Sequence, residues 1–195
     1  MKTIVITRPY FFEGEANYIA QLFEQGVTSL HIRKPYSHEQ DVQTLIEKIP
    51  QKYRSQVVLH EHPQLVEKYQ LQGFHLNSRC PNLPDGYNGG VSRSCHSLEE
   101  VVLYKDKCDY VFLSPIFDSI SKEGYGSTFS EQTLQEAYKQ GVIDNKVVAL
   151  GGIKPEHISY LKAFGFGGMA LLGYVWNRLG VWWELLSNLT IVMAL

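Results

Sequence analysis

Polar side chains that can bind an anion or carry a proton follow several short apolar runs of this sequence. They are His31 and Arg33, His60 and Glu61, His75, Ser94 and His96. A guanidinium offers a planar set of donors that matches a phosphate group, and an imidazole changes its charge near neutral pH. We therefore predict a site that holds a phosphorylated ligand and has histidines available for proton transfer.

The first of these runs fixes the direction of its own side chains. Alternate residues of an extended strand share a face, so His31 and Arg33 are expected to point the same way, with Ile32 on the other face. Lys34 is expected to face solvent. The alternative for Arg33 is a structural ion pair with an acidic neighbour such as Glu61, because partly buried charges are usually paired.

The His60-Glu61-His62 segment contains three possible metal ligands, but its geometry argues against a shared zinc ion. Neighbouring residues at a strand end diverge, so their side chains are not expected to converge on one metal. Glu61 alone suits a magnesium ion whose other ligands are waters and substrate phosphates. For His75 and His96 the alternative is a histidine that only hydrogen-bonds within the fold.

Residues 117–126 are typical of a lid over a phosphate group. This long segment contains glycines and is rich in hydroxyl groups, including Ser119 and Ser121, around a single lysine, Lys122. The alternative is a solvated loop without a ligand. A lysine in a loop does not favour Schiff-base chemistry, since nothing there desolvates the amine.

Glycines near the ends of two late apolar runs predict a second anion site. Gly151 and Gly152 follow one run, and Gly173 follows the other. Glycines let backbone N–H groups approach an anion closely, and phosphate sites recur after the last two strands of barrel folds. We therefore expect a phosphate group to bind near these three residues.

The polar residues lie at the ends of a regular alternation of strands and helices. Runs rich in β-branched or aromatic residues predict strands near 3–7, 29–33, 57–60, 73–76, 90–92, 110–113, 147–150 and 168–172. Helical periodicity predicts helices near 15–24, 38–49, 63–70, 98–105, 131–139, 155–164 and 174–189. Eight such repeats in 195 residues favour a small α/β (β/α)8 TIM barrel, and no linker divides the single domain predicted for residues 1–195.

Composition excludes several classes of partner. The sequence has 18 Lys+Arg and 20 Asp+Glu, so it offers no bulk attraction for nucleic acid or for an anionic membrane. Three cysteines without a Cys-x-x-Cys pair fit reduced thiols, and no signal-peptide pattern begins the chain, so a cytoplasmic location is expected. The apolar stretch 181–195 is expected to be a buried helix, because polar residues interrupt it. The oligomeric state stays open, with a homo-oligomer among the alternatives.

The order of these motifs along the chain resembles the thiamine phosphate synthase and thiazole tautomerase superfamily. That superfamily ends its second strand in Gln-x-Arg-x-Lys, follows its third with Asn-Asp and its fifth with Ser-x-His, and has Gly-Gly-Ile after its seventh. The corresponding residues here are His31/Arg33/Pro35, His60/Glu61, Gly73-Phe74-His75-Leu76, Ser94/His96, the segment 114–122, and Gly151-Gly152-Ile153. The resemblance implies a (β/α)8 barrel that binds small phosphorylated thiazole and pyrimidine compounds.

The resemblance also implies a reaction. A synthase of this superfamily joins hydroxymethylpyrimidine diphosphate to thiazole phosphate, and the thiazole nitrogen displaces pyrophosphate from the pyrimidine methylene group. The implied site comprises a catalytic set (Arg33, Lys122, Ser94, His31), a substrate-binding set (His60, His75, His96, Ser119, Ser121, Gly151, Gly152, Gly173) and Glu61 as a magnesium ligand. Within it, Arg33, Ser94 and Lys122 would contact the diphosphate. Magnesium is the implied cofactor, held together with that diphosphate.

Three departures from the superfamily pattern keep other functions open. Arg79-Cys80 occupies the second magnesium position, Pro35 replaces a lysine, and Pro115 stands where a tautomerase has its catalytic histidine nearby. The first alternative is a thiazole tautomerase-like isomerase that uses His31 or His60 as its proton carrier. The second is a non-catalytic barrel that binds a thiazole or pyrimidine phosphate. The synthase is the main prediction.

Overall fold

The computed structural model describes residues 1–117 and 129–177, which form a closed barrel of parallel strands. The strands are β1 (Lys2–Ile6), β2 (Ser29–Ile32), β3 (Val57–Leu59), β4 (Gly73–Leu76), β5 (Gly90–Cys95), β6 (Tyr110–Leu113), β7 (Val147–Ala149) and β8 (Gly168–Leu171). Each strand pairs with the next in sequence, and β8 closes the barrel by pairing with β1. The predicted (β/α)8 barrel is confirmed, and all eight strands lie where the sequence pattern placed them, to within a few residues at their ends.

Helices connect the strands on the outside of the barrel. They are α1 (Glu15–Glu24), α2 (Glu39–Lys48), α3 (Gln51–Arg54), α4 (Gln64–Lys68), α5 (Leu98–Tyr104), α6 (Glu131–Lys139), α7 (Ile158–Ala163) and α8 (Gly173–Trp176). The short α3 was not predicted, and β4 runs to β5 without a helix, as predicted. Among the described residues, no helix is both long enough and apolar enough to cross a membrane.

Two predicted segments lie outside the described residues. One is the loop segment 118–128, which contains Ser119, Ser121 and Lys122. The other is the segment 178–195, which contains most of the predicted last helix and the apolar stretch expected to be buried. The barrel is therefore built by the described part of the chain, and the prediction of one domain over residues 1–195 remains a prediction.

The core has an outer layer between strands and helices and a smaller inner layer inside the barrel. The inner apolar layer consists of Ile4, Ile6, Tyr110, Phe112, Val148 and Ala170. These residues come from β1, β6, β7 and β8. The buried polar residues of β2, β4 and β5 include His31, His75 and Ser92, and the rings of His31 and His75 contact Phe112 across the barrel. The barrel interior is therefore apolar on one side and polar on the other.

Candidate active site at the mouth of the barrel

The mouth of the barrel, where the strands have their carboxyl ends, carries two arginines and a glutamate. Arg33 directly follows β2 and is half-buried. Arg79, in the loop after β4, donates to Glu61 Oε1 at 2.8 Å. Because Glu61 pairs with Arg79, the ion pair between Arg33 and Glu61 does not form. No other described carboxylate pairs with the Arg33 guanidinium, so Arg33 is a cation that an anionic ligand would neutralise.

The environment of Arg33 disfavours its own charge. Burial lowers the pKa of Arg33, and the positive charge of Arg79 lowers this pKa further. The negative charge of Glu61 raises the pKa of Arg33, but this carboxylate is already bonded to Arg79. Two neighbouring guanidinium groups that share one carboxylate leave local positive charge at the mouth. Such a site attracts a multiply charged anion, for which guanidinium groups are suited.

Lys34 is fully buried, which corrects the expectation that it faces solvent. Its Nζ donates to Glu15 Oε1 at 2.6 Å, to the Tyr10 carbonyl at 2.8 Å and to the Arg8 carbonyl at 3.0 Å. The prediction failed because β2 ends at Ile32, so the alternation of strand side chains no longer governs Lys34. The two carbonyl bonds attach the loop between β1 and α1 to the end of β2, and the bond to Glu15 attaches the start of α1. This loop forms one edge of the mouth.

Three histidines from neighbouring strands meet inside the barrel. Strand pairing aligns Val58 with both His31 and Gly73, which places His60 and His75 side by side two residues further along. The His60 and His75 rings stack with centroids 4.3 Å apart, and His31 Nδ1 lies 3.0 Å from His60 Nε2. His31 and His75 are fully buried, and His60 is 4% exposed.

His62, which follows Glu61, does not join the three buried histidines. The His62 ring bonds the Ser37 carbonyl oxygen at 3.0 Å. His60 enters the barrel while His62 turns away from it, so these two side chains diverge as predicted. A metal shared by the His60-Glu61-His62 segment is therefore excluded by geometry.

Hydroxyl groups hold the buried histidines in place. His31 Nε2 lies 2.6 Å from the Tyr110 hydroxyl. His75 Nδ1 and Nε2 each lie 2.8 Å from a serine hydroxyl, those of Ser92 and Ser94. Burial lowers the pKa of His31 and His60 well below the ordinary value and that of His75 to about 3. All three imidazoles are therefore neutral at pH 7, and each has one N–H donor and one acceptor nitrogen.

His96 lies apart from these three histidines. It is exposed, and its Nδ1 lies 3.3 Å from both the hydroxyl and the carbonyl oxygen of Ser114, at the end of β6. Its backbone N–H donates to Glu100 Oε2 at 2.6 Å. The structure therefore places His96 on the rim of the mouth, beside the start of the loop that contains Lys122.

The glycines after β7 build a turn against that same loop. Gly151 has φ 94° and Gly152 has φ 63°, values that side chains disfavour, and a Cβ at Gly151 would lie 2.8 Å from Pro115. Phe117 N–H donates to the Gly151 carbonyl at 3.1 Å. The backbone N–H groups of Gly151 and Gly152 donate to no acceptor among the described residues. Gly173, the third predicted residue, is the first residue of α8.

Sequence reasoning missed Tyr110, Ser92, Glu15 and the contact made by Arg79. Tyr110 and Ser92 had a usable signal, because alternation places Tyr110 on the same face as Phe112, and Ser92 on the same face as Ser94. Glu15 carried no such signal, since an acidic residue at the start of a helix usually interacts with the helix dipole. Its pairing with Lys34 depends on the path of a loop.

The residues present do not fit a preformed magnesium site. Glu61 Oε1 bonds the Arg79 guanidinium, and Glu61 Oε2 accepts the backbone N–H of Lys34 at 3.1 Å. A divalent cation at this carboxylate would have to displace a guanidinium that already neutralises it. The second position expected to provide a magnesium ligand is occupied by Arg79 itself.

Comparisons with known proteins cover most of the chain. The sequence pattern of the family described as thiamine monophosphate synthase matches residues 3–175. The thiamine-phosphate synthase of Proteus mirabilis (strain HI4320) is 28% identical over 170 residues, or 81% of this chain and 77% of that protein. The crystal structure of thiamine phosphate pyrophosphorylase from Bacteroides thetaiotaomicron is 41% identical, with a TM-score of 0.90 over 99% of this chain and 96% of that one. A thiamine phosphate pyrophosphorylase from Pyrococcus furiosus, 19% identical with a TM-score of 0.78 over 99% and 95% of the two chains, shares the fold.

Proposed function

This chain belongs to the thiamine monophosphate synthase family, and we propose that it is a transferase that makes thiamine phosphate. The substrates are hydroxymethylpyrimidine diphosphate and thiazole phosphate. The ring nitrogen of the thiazole forms a bond to the methylene carbon of the pyrimidine, and the bond from that carbon to the diphosphate oxygen breaks. Pyrophosphate leaves with the bonding electrons. Proteins named for this activity match the chain over most of its length.

The observation that carries this proposal is the half-buried Arg33 at the mouth, which no described carboxylate pairs with. A buried cation without a partner is unfavourable, and here a second guanidinium stands beside it. A diphosphate would neutralise Arg33, and its negative charge increases on the leaving oxygen as the bond breaks. Fixed donors aimed at that oxygen stabilise the transition state more than the bound substrate, which is how such a site accelerates the reaction.

Ser94 is proposed as a second diphosphate contact, oriented by His75. In the tautomer with the proton on Nε2, His75 donates to the Ser94 oxygen and leaves the Ser94 hydroxyl free to donate to a phosphate oxygen. We assign a third contact to Lys122, which belongs to the loop that begins beside Gly151. His60, 4% exposed, would line the floor of the pyrimidine pocket, and the fully buried His31 would position His60 through their 3.0 Å contact.

The thiazole phosphate is proposed to bind at the other side of the mouth. The N–H groups of Gly151 and Gly152, which donate to no described acceptor, suit a phosphate, and Gly173 lies on the neighbouring strand-to-helix connection. Ser119 and Ser121 would contact the thiazole ring, and His96 would border its pocket. In this arrangement the two substrates approach each other over the interior histidines.

Glu61, whose two oxygens bond Arg79 and the Lys34 N–H, does not offer magnesium a preformed site, and the roles given above belong to the protein's own cations and N–H groups. We propose that magnesium binds only together with the diphosphate, whose oxygens supply the missing ligands. A small phosphorylated metabolite is also the kind of substrate found inside cells. Together with three free cysteines, this supports a cytoplasmic location.

The decisive experiment is a synthesis assay with the purified chain, both substrates and magnesium. We expect thiamine phosphate and pyrophosphate to form in equal amounts, and neither to form when one substrate is omitted. Absence of both products, with proton exchange on a thiazole carboxylate phosphate, would identify an isomerase instead. Binding of either phosphate compound without any reaction would identify a carrier.

A further inference from the structure

The three buried histidines bring ligand atoms together in the manner of a metal site. One ring nitrogen of each of His31, His60 and His75 lies within 4.8 Å of the others. Within this cluster, His31 Nδ1 and His60 Nε2 are already 3.0 Å apart. Two imidazoles on one tetrahedral zinc ion, at bond lengths of about 2.0–2.1 Å, have nitrogens about 3.3 Å apart. Their separation therefore has to increase by only a few tenths of an ångström.

Two of the three histidines already have the outer hydrogen-bond partner that a metal ligand requires. A histidine that ligates a metal usually donates its other N–H to an oxygen, which fixes the tautomer and the ring orientation. The other nitrogen of His31 lies 2.6 Å from the Tyr110 hydroxyl, and the Nδ1 of His75 lies 2.8 Å from the Ser92 hydroxyl. With protons on those outer nitrogens, His31 Nδ1 and His75 Nε2 are free to bind an ion.

The charge state of the cluster also suits a cation. Ligating imidazoles must be neutral, and the described hydrogen-bond partners of these rings are hydroxyls and another imidazole rather than carboxylates, which would favour the charged form. A neutral histidine only moves its proton from one ring nitrogen to the other when it binds, so no proton has to leave the protein. The serine and tyrosine hydroxyls add oxygen atoms near the ion without adding negative charge.

We propose that His31, His60 and His75 together bind one zinc ion inside the barrel. His75 is the residue that has to move, because its ring now stacks on His60 at an interplanar angle of 26°. Turning its Nε2 to the ion exchanges the bond to Ser94 for a metal bond, and a water or the released Ser94 hydroxyl completes four ligands. Imidazole ligands favour zinc, whereas magnesium prefers oxygen, so this site differs from Glu61 in its chemistry.

Zinc titration of the full chain, after removal of metals with a chelator, tests the site. We expect calorimetry to show one zinc ion per chain, no competition from magnesium, and loss of binding in His31→Gln and His75→Gln. The matched controls are His38→Gln, at an exposed histidine, and Glu61→Gln, and both should bind zinc like the wild type. Cobalt provides an optical readout, since a tetrahedral cobalt ion with nitrogen ligands absorbs visible light strongly. No saturable binding, or equal loss in His38→Gln, overturns the proposal.

A second measurement uses the wild-type protein and does not depend on the folding of any variant. The chain has 7 histidines, and nitrogen-resolved NMR of their side chains distinguishes metal-bound from free ring nitrogens. We expect zinc to shift one nitrogen of each of three histidines, those at 31, 60 and 75. Shifts confined to other histidines, or no shift at all, contradict the site. Because this measurement involves neither substrate, its outcome does not depend on the outcome of the synthesis assay.

Discussion

At the scale of single residues, the buried pair formed by Lys34 and Glu15 is where removing one charge should have the largest effect on stability. Glu15 Oε2 has no hydrogen-bond partner among the described residues, and burial raises the pKa of Glu15 despite the ion pair. Lys34→Met leaves this carboxylate buried and unpaired, which should lower the free energy of unfolding by about 3–5 kcal/mol. The double variant Lys34→Met/Glu15→Met should be more stable than Lys34→Met alone, as measured by urea unfolding.

The pH dependence of this loss has a definite sign. Without Lys34, the folded-state pKa of Glu15 rises further above its ordinary value of 4.5, because the ion pair and hydrogen bond that lowered it are gone. The folded chain then binds more protons than the unfolded chain as pH increases beyond that value. The difference in free energy of unfolding between the wild type and Lys34→Met should therefore be smallest near pH 4.5 and grow towards neutral pH. A difference that is constant with pH would show that Glu15 does not titrate there.

Arg33 should affect turnover much more than stability. Losing a charge-assisted contact to a leaving diphosphate removes about 2–4 kcal/mol of transition-state stabilisation, so Arg33→Ala should lower kcat/KM by roughly 30- to 1000-fold. Lys52→Ala, which removes an exposed cation in α3, is the control and should leave kcat/KM unchanged. Steady-state kinetics with both substrates measures the effect. A change of less than about threefold in Arg33→Ala would remove this residue from the diphosphate site.

Arg79 should compete with magnesium for Glu61. Calorimetric titration of the substrate-free wild type with magnesium should show no saturable sub-millimolar binding, since the guanidinium neutralises the carboxylate. Arg79→Gln releases Glu61 and should increase magnesium affinity, and adding Glu61→Gln to that variant should abolish the gain. Tight binding to the free wild type that disappears in Glu61→Gln would mean that the ion displaces Arg79 without help from a diphosphate.

At the scale of elements, the turn after β7 should decide phosphate binding. Gly152→Asp places a carboxylate next to N–H groups proposed to hold the thiazole phosphate, and like charges repel strongly at such a distance. Gly141→Asp is a matched control, because Gly141 has φ 72° against 63° for Gly152 and has no atom near its Cβ position. Both variants should show a similar decrease in Tm, but only Gly152→Asp should lose calorimetric binding of thiazole phosphate. Equal affinities would reject the site.

The elements themselves were predictable from the sequence because each is fixed by local periodicity. The strand near Tyr110, for example, is a short run of four buried apolar and aromatic residues, and helix α6 has its apolar residues at helical spacing. The contacts between elements were not predictable in the same way. Glu61 and Arg79 are 18 residues apart on two loops, and the stacking of His60 on His75 depends on the register of β3 against β4. Register follows from packing of the whole barrel, so no local pattern encodes it.

At the scale of the whole molecule, closure of the barrel separates the apolar and polar halves of the interior. The apolar half, on β1 and β6 to β8, supplies a hydrophobic interior layer. The polar half, on β2, β4 and β5 and at His60 after β3, places hydroxyls and neutral imidazoles below the arginines of the mouth. Charge is therefore concentrated at the rim, while the floor beneath it is uncharged. A site of this kind binds an anion at its edge and leaves the ring of the same substrate against neutral groups.

A closed barrel has no strand edge from which it can open, so thiol labelling should follow global unfolding. Cys95 ends β5 and is fully buried, and burial raises its pKa to about 12; Cys108, before β6, is 7% exposed. Cys80, in the loop after β4, is half-exposed. We expect iodoacetamide to modify only Cys80 in the native chain, as read by mass spectrometry, and Cys80→Ser to take up none. Cys95 and Cys108 should become reactive together as denaturant is added. The midpoint of their labelling should coincide with the midpoint of the unfolding transition. Native labelling of Cys95 as fast as that of Cys80 would instead mean that β5 and β6 separate locally, and that the barrel is less cooperative than its closed topology implies.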